Sequence, residues 1–321
     1  MELGEVSLNR GGITRLIVGT AQLGMIYGVA NQTYLNHDQK LSLLQRARAA
    51  GITSFDTARA YGRSENVLGD FIRSGEADGC DVVTKLAPLA ELPDDALASH
   101  VEDAVRASVR QSQLALGMPT LSTLLLHRAQ HLDAWDGRTW ETLLRLRDDG
   151  QIGVLGVSVQ TPDEVLRALE DENVGYVQMP FNLLDHRWAS AIAALESRRE
   201  RRPVKVAVRS IYLQGLLLSD DDAMWERAHV DDSVGARRWM RNTAVNLGLS
   251  GIDDLCLAYA AAQTWIDGIV IGIDNEEQLM RNLDLMSQPG LSTSKIAALS
   301  AERPAFGADT LDPSKWMRGP L

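Results

Sequence analysis

Four side chains that can handle protons end or closely follow short apolar runs in this chain: Asp56, Tyr61, Lys85 and His127. The densest stretch is Gly51-Ile-Thr-Ser-Phe-Asp56-Thr-Ala-Arg-Ala-Tyr61-Gly-Arg-Ser64-Glu65, where an acid and a phenol lie five residues apart as a strand gives way to a loop. Further on, Asp81-Val-Val-Thr-Lys85 ends a second run in an ammonium, and Leu124-Leu-Leu-His127 ends a third in an imidazole. Carboxylate, phenol, ammonium and imidazole are the groups that donate, accept and steer protons. The carboxyl end of a strand is a common address for catalytic side chains. An unperturbed phenol has a pKa near 10, so releasing its proton at neutral pH needs a neighbour that favours the phenolate, and an ammonium is such a neighbour.

Positioning these groups requires a scaffold of strands with free carboxyl ends. Leu16–Gly19 reads as the first strand, and strand-like runs follow at Ile52–Phe55, Asp81–Thr84, Thr123–Leu126, Gly153–Val157, Tyr176–Met179, Val204–Val208 and Gly268–Ile271. Between them, His37–Ala50, Ser64–Ile72, Asp94–Leu116, Thr139–Asp148, Pro162–Leu169 and Glu276–Met286 have helical apolar spacing. Strands that are apolar along their whole length, alternating with helices, predict a parallel sheet covered on both faces. Eight of them favour a closed (β/α)8 barrel over an open sheet. The open sheet would place a G-x-G-x-x-G fingerprint after the first strand, and Gly19-Thr-Ala-Gln-Leu-Gly24 does not supply it. No linker-like tract divides residues 1–321, so a single barrel domain is expected. Two long segments interrupt the spacing: Leu213 to about Asp232 after the seventh strand, and the tail from Gln288 to Leu321. Such segments at a barrel's carboxyl face commonly shape the substrate pocket.

Composition sets limits on function. Hydrophobic residues make up 45% of the chain and charged ones 23%, as in a globular enzyme with a large core. A formal charge of −11 argues against a nucleic-acid binder. The one basic run, Arg198-Arg-Glu-Arg-Arg202, suits the negative end of a helix. No apolar run is long enough to span a membrane, and Met1-Glu-Leu-Gly-Glu5 lacks a secretory signature, so a cytoplasmic location is the expectation. Cys80 and Cys256 have no metal-ligand spacing, nor do His37, His100, His131, His186 and His229, so neither a disulfide framework nor a metal site is expected. Trp225, Trp239 and Trp316 are candidates either for the pocket wall or for core packing.

The order Asp56, Tyr61, Lys85, His127 resembles the catalytic tetrad of the aldo-keto reductases, and the resemblance extends from about Leu16 to about Asn282. It implies reduction of a small-molecule aldehyde or ketone, with Tyr61 as the acid, Lys85 beside it, Asp56 holding Lys85, and His127 orienting the carbonyl oxygen. It also implies a nicotinamide cofactor. Gly156-Val-Ser158 and Val-Gln178-Met-Pro-Phe-Asn182 are similar to the segments that hold the nicotinamide carboxamide, and Gly19 and Thr20 follow the first strand on the same side. Ile271-Gly272-Ile-Asp-Asn-Glu-Glu-Gln278-Leu-Met-Arg281-Asn282 is similar to the adenosine-phosphate segment, with Asn282 reading the adenine. NADP is the cofactor the resemblance favours. NAD stays open, because Gly272 and Gln278 stand where cations often meet the 2′-phosphate and Glu276 and Glu277 oppose one, although Arg281 could substitute.

Two positions depart from the family pattern. Val159 replaces the usual Asn after Ser158, and Arg209, in Arg209-Ser210-Ile-Tyr-Leu-Gln214-Gly215, replaces the aromatic residue that stacks on the nicotinamide. A fixed positive charge there either disfavours the oxidised cofactor or pairs with an anionic substrate group. The Gly19–Gly24 run, Tyr27-Gly28 and the Arg209–Leu217 run together resemble family members acting on sugar or natural-product intermediates, which suggests a polar, hydroxylated carbonyl compound. Two alternatives remain: a redox-neutral epimerase or eliminase that retains its cofactor, and a cofactor-sensing binding subunit.

Overall fold

The computed structural model describes residues 10–12, 15–25 and 35–317. Residues 1–5 and Tyr27-Gly28, used above, lie outside the described residues. Eight parallel strands close into a barrel in sequence order: β1 (Leu16–Gly19), β2 (Ser54–Asp56), β3 (Asp81–Lys85), β4 (Leu121–Leu126), β5 (Ile152–Ser158), β6 (Tyr176–Pro180), β7 (Lys205–Arg209) and β8 (Gly268–Gly272). Closure is direct, with β1 pairing β8 through Leu16 to Ile269 and Gly19 to Gly272. The sequence placed every strand to within two residues at each end. The fully apolar strands are so because both faces are covered: Ile17, Val83, Leu125, Tyr176, Ala207 and Val270 form one cluster, and a larger one lies between strands and helices. Burying one such side chain stabilises the fold by about 1.5–3 kcal/mol.

Differences from the expected boundaries have local causes. The helix expected from Asp94 starts at Ala98, because Pro93-Asp94-Asp95-Ala96 closes a turn through Ala96 N–H to Pro93 O, 3.0 Å, and Leu97 is extended. The segment after β7 is not one loop. A kinked 3-10 turn (Leu213–Leu218) and a short helix (Asp222–Arg227) precede two helices that the apolar spacing did not single out, Ser233–Asn246 and Ile252–Ala261. The tail forms a helix, Thr293–Glu302, and braces loops at the carboxyl face. Arg303 Nη1 donates to Leu183 O at 3.2 Å after β6, and Met317 N–H donates to Arg227 O at 3.0 Å after β7. No described helix is long and apolar enough to cross a membrane.

Candidate active site

Asp56 and Lys85 are the last residues of β2 and β3, and His127 follows β4 directly. Tyr61 reaches them from the loop after β2, which is pressed onto the turn after β1. Gly24 makes that approach possible, since a Cβ there would overlap the Tyr61 carbonyl, and Gly62 opposite it takes a left-handed φ of 56°. A buried hydroxyl cluster locks the two strand ends together. Thr20 N–H and Oγ1 both donate to Asp56 O at 2.9 Å, and Ser64 Oγ lies 2.6 Å from Thr20 Oγ1 and 2.9 Å from Thr57 Oγ1. Thr20 therefore holds the Asp56 backbone in place.

The ion pair is almost wholly buried. Lys85 Nζ donates to both Asp56 carboxylate oxygens at 2.7 Å and to Thr57 O at 3.0 Å, and Gln178 Nε2 donates to Asp56 Oδ1 at 2.7 Å. Lys85 Nζ lies 5.1 Å from the centre of the Tyr61 ring, and the Tyr61 and His127 rings meet edge to face with centroids 5.8 Å apart. The structure thus brings all four expected residues together. It corrects one expectation: burial pushes the Tyr61 phenol above its ordinary value, Asp56 adds to that, and Arg209 opposes it. With the Lys85 charge balanced by Asp56, the net shift is upward, so Tyr61 rests protonated. His127 is pushed down to about 3, first by burial and then by Lys85, Arg209, Arg128 and His131. It is neutral, and its buried Nδ1 has no hydrogen-bond partner among the described residues.

A cavity of about 610 Å³ opens from Asp56 and Tyr61 across the ends of β1, β7 and β8. Gly19, Arg209, Ser210, Gln214, Gly272, Gln278, Arg281 and Asn282, which the resemblance assigns to the cofactor, all line it. Thr20, Ser158 and Gln178 do not line it; they are buried at its inner end. Ser158 pairs in register with Gln178, whose Oε1 is buried and unpartnered. The far end is acidic. Asp253 and Asp274 line it, Arg281 Nε donates to Asp253 Oδ2 at 2.8 Å, and Arg281 Nη2 donates to Ser250 Oγ at 2.6 Å. At the start of the Glu276–Ser287 helix, Asn275 Oδ1 accepts from Gln278 N–H at 2.9 Å, and Gln278 Oε1 accepts from Asp274 N–H, just before the helix, at 2.9 Å. Asn282 is buried and accepts from the Tyr212 hydroxyl at 3.3 Å. None of Trp225, Trp239 and Trp316, nor any described tail residue, lines the cavity. Trp225 is instead buried, with its indole N–H on Ser219 O at 2.9 Å.

The two departures, Val159 and Arg209, are physically coupled. The Val159 side chain is buried in the outer core, so this position offers only its carbonyl, which accepts from Arg209 Nη2 at 3.0 Å. Beyond Arg209 the backbone is left-handed at Ser210 (φ 60°), Leu213 (φ 47°) and Gln214 (φ 54°). Left-handed non-glycine residues cost about 1–2 kcal/mol each, and such strain collects at ligand-binding segments.

The sequence model of the Aldo/keto reductase family matches residues 15–302. The chain belongs to the aldo/keto reductase family. It is an NAD(P)H-dependent oxidoreductase. It is similar to D-threo-aldose 1-dehydrogenase of a Pseudomonas species, 26% identical over 303 residues that span 83% of this chain and 90% of the relative. An uncharacterized oxidoreductase of Bacillus subtilis is 24% identical over 279 residues, 82% of this chain and 87% of the relative. Among solved structures, the holo form of an aldo-keto reductase from Bacillus halodurans superposes with a TM-score of 0.73 at 18% identity, covering 91% of this chain and 93% of that one.

Several residues of the reductase site carried no sequence signal. Thr57 and Ser64 lie within the Gly51–Glu65 run, but hydroxyls are too common to stand out. Gln22, Tyr212, Asp253 and Asp274 line the cavity through contacts that no local pattern announces. No group of three metal-ligating side chains occurs among the described residues. The depressed His127 has a measurable consequence. In the folded reductase it takes its proton near pH 3, against 6.5 for the unfolded chain, so between those values the unfolded state holds more protons and stability falls as pH drops. His131, pushed down to about 4, acts in the same direction. His127→Asn is expected to flatten this dependence by up to about 1 kcal/mol per pH unit, read by urea titrations across the window.

Proposed function

We propose that this reductase converts an aldehyde or ketone to the alcohol, with Tyr61 delivering the proton to the carbonyl oxygen. The observation that carries the reading is the edge-to-face pairing of a protonated, buried phenol that lines the cavity with a neutral imidazole, beside an Asp56–Lys85 pair. His127 holds the carbonyl oxygen by a hydrogen bond while Tyr61 gives up its proton. Lys85, fixed 5.1 Å from the phenol ring centre, stabilises the phenolate as it forms, and water then restores the proton. The residues present fit a nicotinamide. The orphaned Gln178 Oε1 is an acceptor for its carboxamide N–H, and Ser158 stands in register beside it. When bound, the reduced cofactor supplies the hydride to the carbonyl carbon. A polar, hydroxylated substrate agrees with the name of the Pseudomonas relative, which identifies an aldose dehydrogenase. The test is oxidation of reduced nicotinamide, followed by absorbance, with a panel of ketosugars and simple aldehydes. Substrate turnover without net cofactor oxidation would favour the redox-neutral alternative instead.

NADPH is the cofactor of this reading, and NADH is its competitor. Arg281 is the cavity-lining cation at the adenosine end among the described residues, and Asp253 already holds it. A 2′-phosphate would have to share that guanidinium with a carboxylate. Wild-type protein is therefore expected to discriminate between the two reduced cofactors by no more than about tenfold. Asp253→Asn frees Arg281 and should shift the Kd ratio toward NADPH by about 3- to 10-fold. Competitive titration of both cofactors reads this directly, and an unchanged ratio would remove Arg281 as the phosphate contact.

A further inference from the structure

We propose that the Arg59–Glu65 ion pair is a positioning clamp for the Tyr61 phenol, which sets the rate of proton delivery from outside the cavity. The inference rests on the carbonyl-reduction reading, in which Tyr61 is the acid, and deepens it. Tyr61 is carried by the loop 57–63, which leaves β2 and enters the helix Ser64–Arg73. Arg59 lies two residues before Tyr61 and Glu65 four residues after it. Their side chains meet in an ion pair between Arg59 Nη1 and Glu65 Oε2, so the loop is tied across its own base. The other carboxylate oxygen, Glu65 Oε1, accepts from Thr84 Oγ1 at 2.7 Å, and Thr84 directly precedes Lys85 on β3. Arg59 N–H donates to Lys85 O at 3.2 Å. A closed ring of contacts thus runs from Lys85 through Arg59 and Glu65 to Thr84 and back along β3. Neither Arg59 nor Glu65 lines the cavity.

The side chain of Glu65 is 1% exposed and that of Arg59 23%, while Thr84 is wholly buried. A carboxylate taken out of water carries a desolvation cost that its partners must offset, so a pair of this kind adds little stability over apolar residues of the same volume. What it supplies is direction, because charge-assisted contacts of defined geometry fix where the loop runs over the end of β3. On its other flank the loop is held by the turn after β1, where Gly24 O accepts from Arg63 N–H at 3.4 Å. Between the two flanks, Tyr61 N–H donates to Ala58 O and Tyr61 O accepts from Ser64 N–H, both at 3.0 Å. The Tyr61 backbone is therefore fixed from both sides, and with it the ring that stands 5.1 Å from Lys85 Nζ. Proton delivery depends steeply on such placement, since a displacement of about 1 Å can cost about 10²-fold in rate.

The experiment measures the single-turnover rate of reduced-cofactor oxidation with the most active member of the ketosugar and aldehyde panel, beside the cofactor Kd and the urea midpoint. Glu65→Gln keeps an acceptor for Thr84 and removes the charge that holds Arg59. It is expected to slow the single turnover by about 10- to 100-fold while the cofactor Kd stays within about threefold of wild type. Arg59→Met should slow it as much, and Arg59→Lys, which keeps the charge without the planar fork, should recover part of the rate. If the charge stranded by a single substitution prevents folding, Arg59→Met/Glu65→Gln leaves neither charge behind and should fold and still be slow. In Tyr61→Phe protein, Glu65→Gln should cost no more than about twofold further, because a clamp that acts through the phenol has nothing left to position. A Glu65→Gln rate within about twofold of wild type, or the same fold-loss with and without the Tyr61 hydroxyl, overturns the proposal. Those outcomes leave carbonyl reduction by Tyr61 standing, whereas a Tyr61→Phe protein as fast as wild type removes the acid on which both readings rest.

Discussion

Tyr61→Phe is expected to lower kcat for carbonyl reduction by about 10²- to 10⁴-fold, the usual contribution of a positioned general acid. The substitution removes one oxygen and keeps the ring that meets His127 edge to face and lies against Lys85, so local packing survives. The Kd for the reduced cofactor should stay within about threefold of wild type, which separates a lost proton donor from a lost binding site. Because the phenol is pushed upward by burial and by Asp56, wild-type activity should show no loss on the alkaline side until well above the ordinary phenol value of 10. A variant retaining wild-type kcat would remove Tyr61 from the mechanism.

The second large effect concerns stability. Lys85 and Asp56 have side chains only 1% and 5% exposed, so Lys85→Met leaves a carboxylate buried without its counter-charge. Breaking such a pair by removing one partner costs about 3–5 kcal/mol. The double variant Asp56→Asn/Lys85→Met should recover most of the stability and none of the activity, since a neutral amide and a thioether can be buried but cannot stabilise a phenolate. Urea titrations of the single and double variants, beside their kcat values, test both halves. Equal stability of the two would show that the pair is not the buried unit described here.

Much of this protein was legible before any coordinates. A strand covered on both faces must be apolar throughout, so eight such runs between amphipathic segments announced the barrel. A charged or titratable residue ending such a run had to face the open carboxyl end, which is why Asp56, Lys85 and His127 could be read directly. Tyr61 was legible only through its spacing from Asp56. The cavity's far end was partly legible: Arg281 and Asn282 do line it, but the partner that neutralises Arg281 lies 28 residues away in another helix. The tail and the tryptophans were legible as apolar material and not as to where they pack, because packing against loops has no period.

By itself, the sequence determined the barrel, the family and the identity of the four groups at its mouth, because those follow from local apolar patterning and residue type. Tertiary structure alone decided their states. Burial raised the Tyr61 phenol where the residue list suggested a lowering, and placed Thr20 and Gln178 behind Asp56. The Arg209 guanidinium was tethered to the Val159 carbonyl, 50 residues away. Desolvation and pairing depend on what surrounds a group in three dimensions, and no spacing along the chain encodes them.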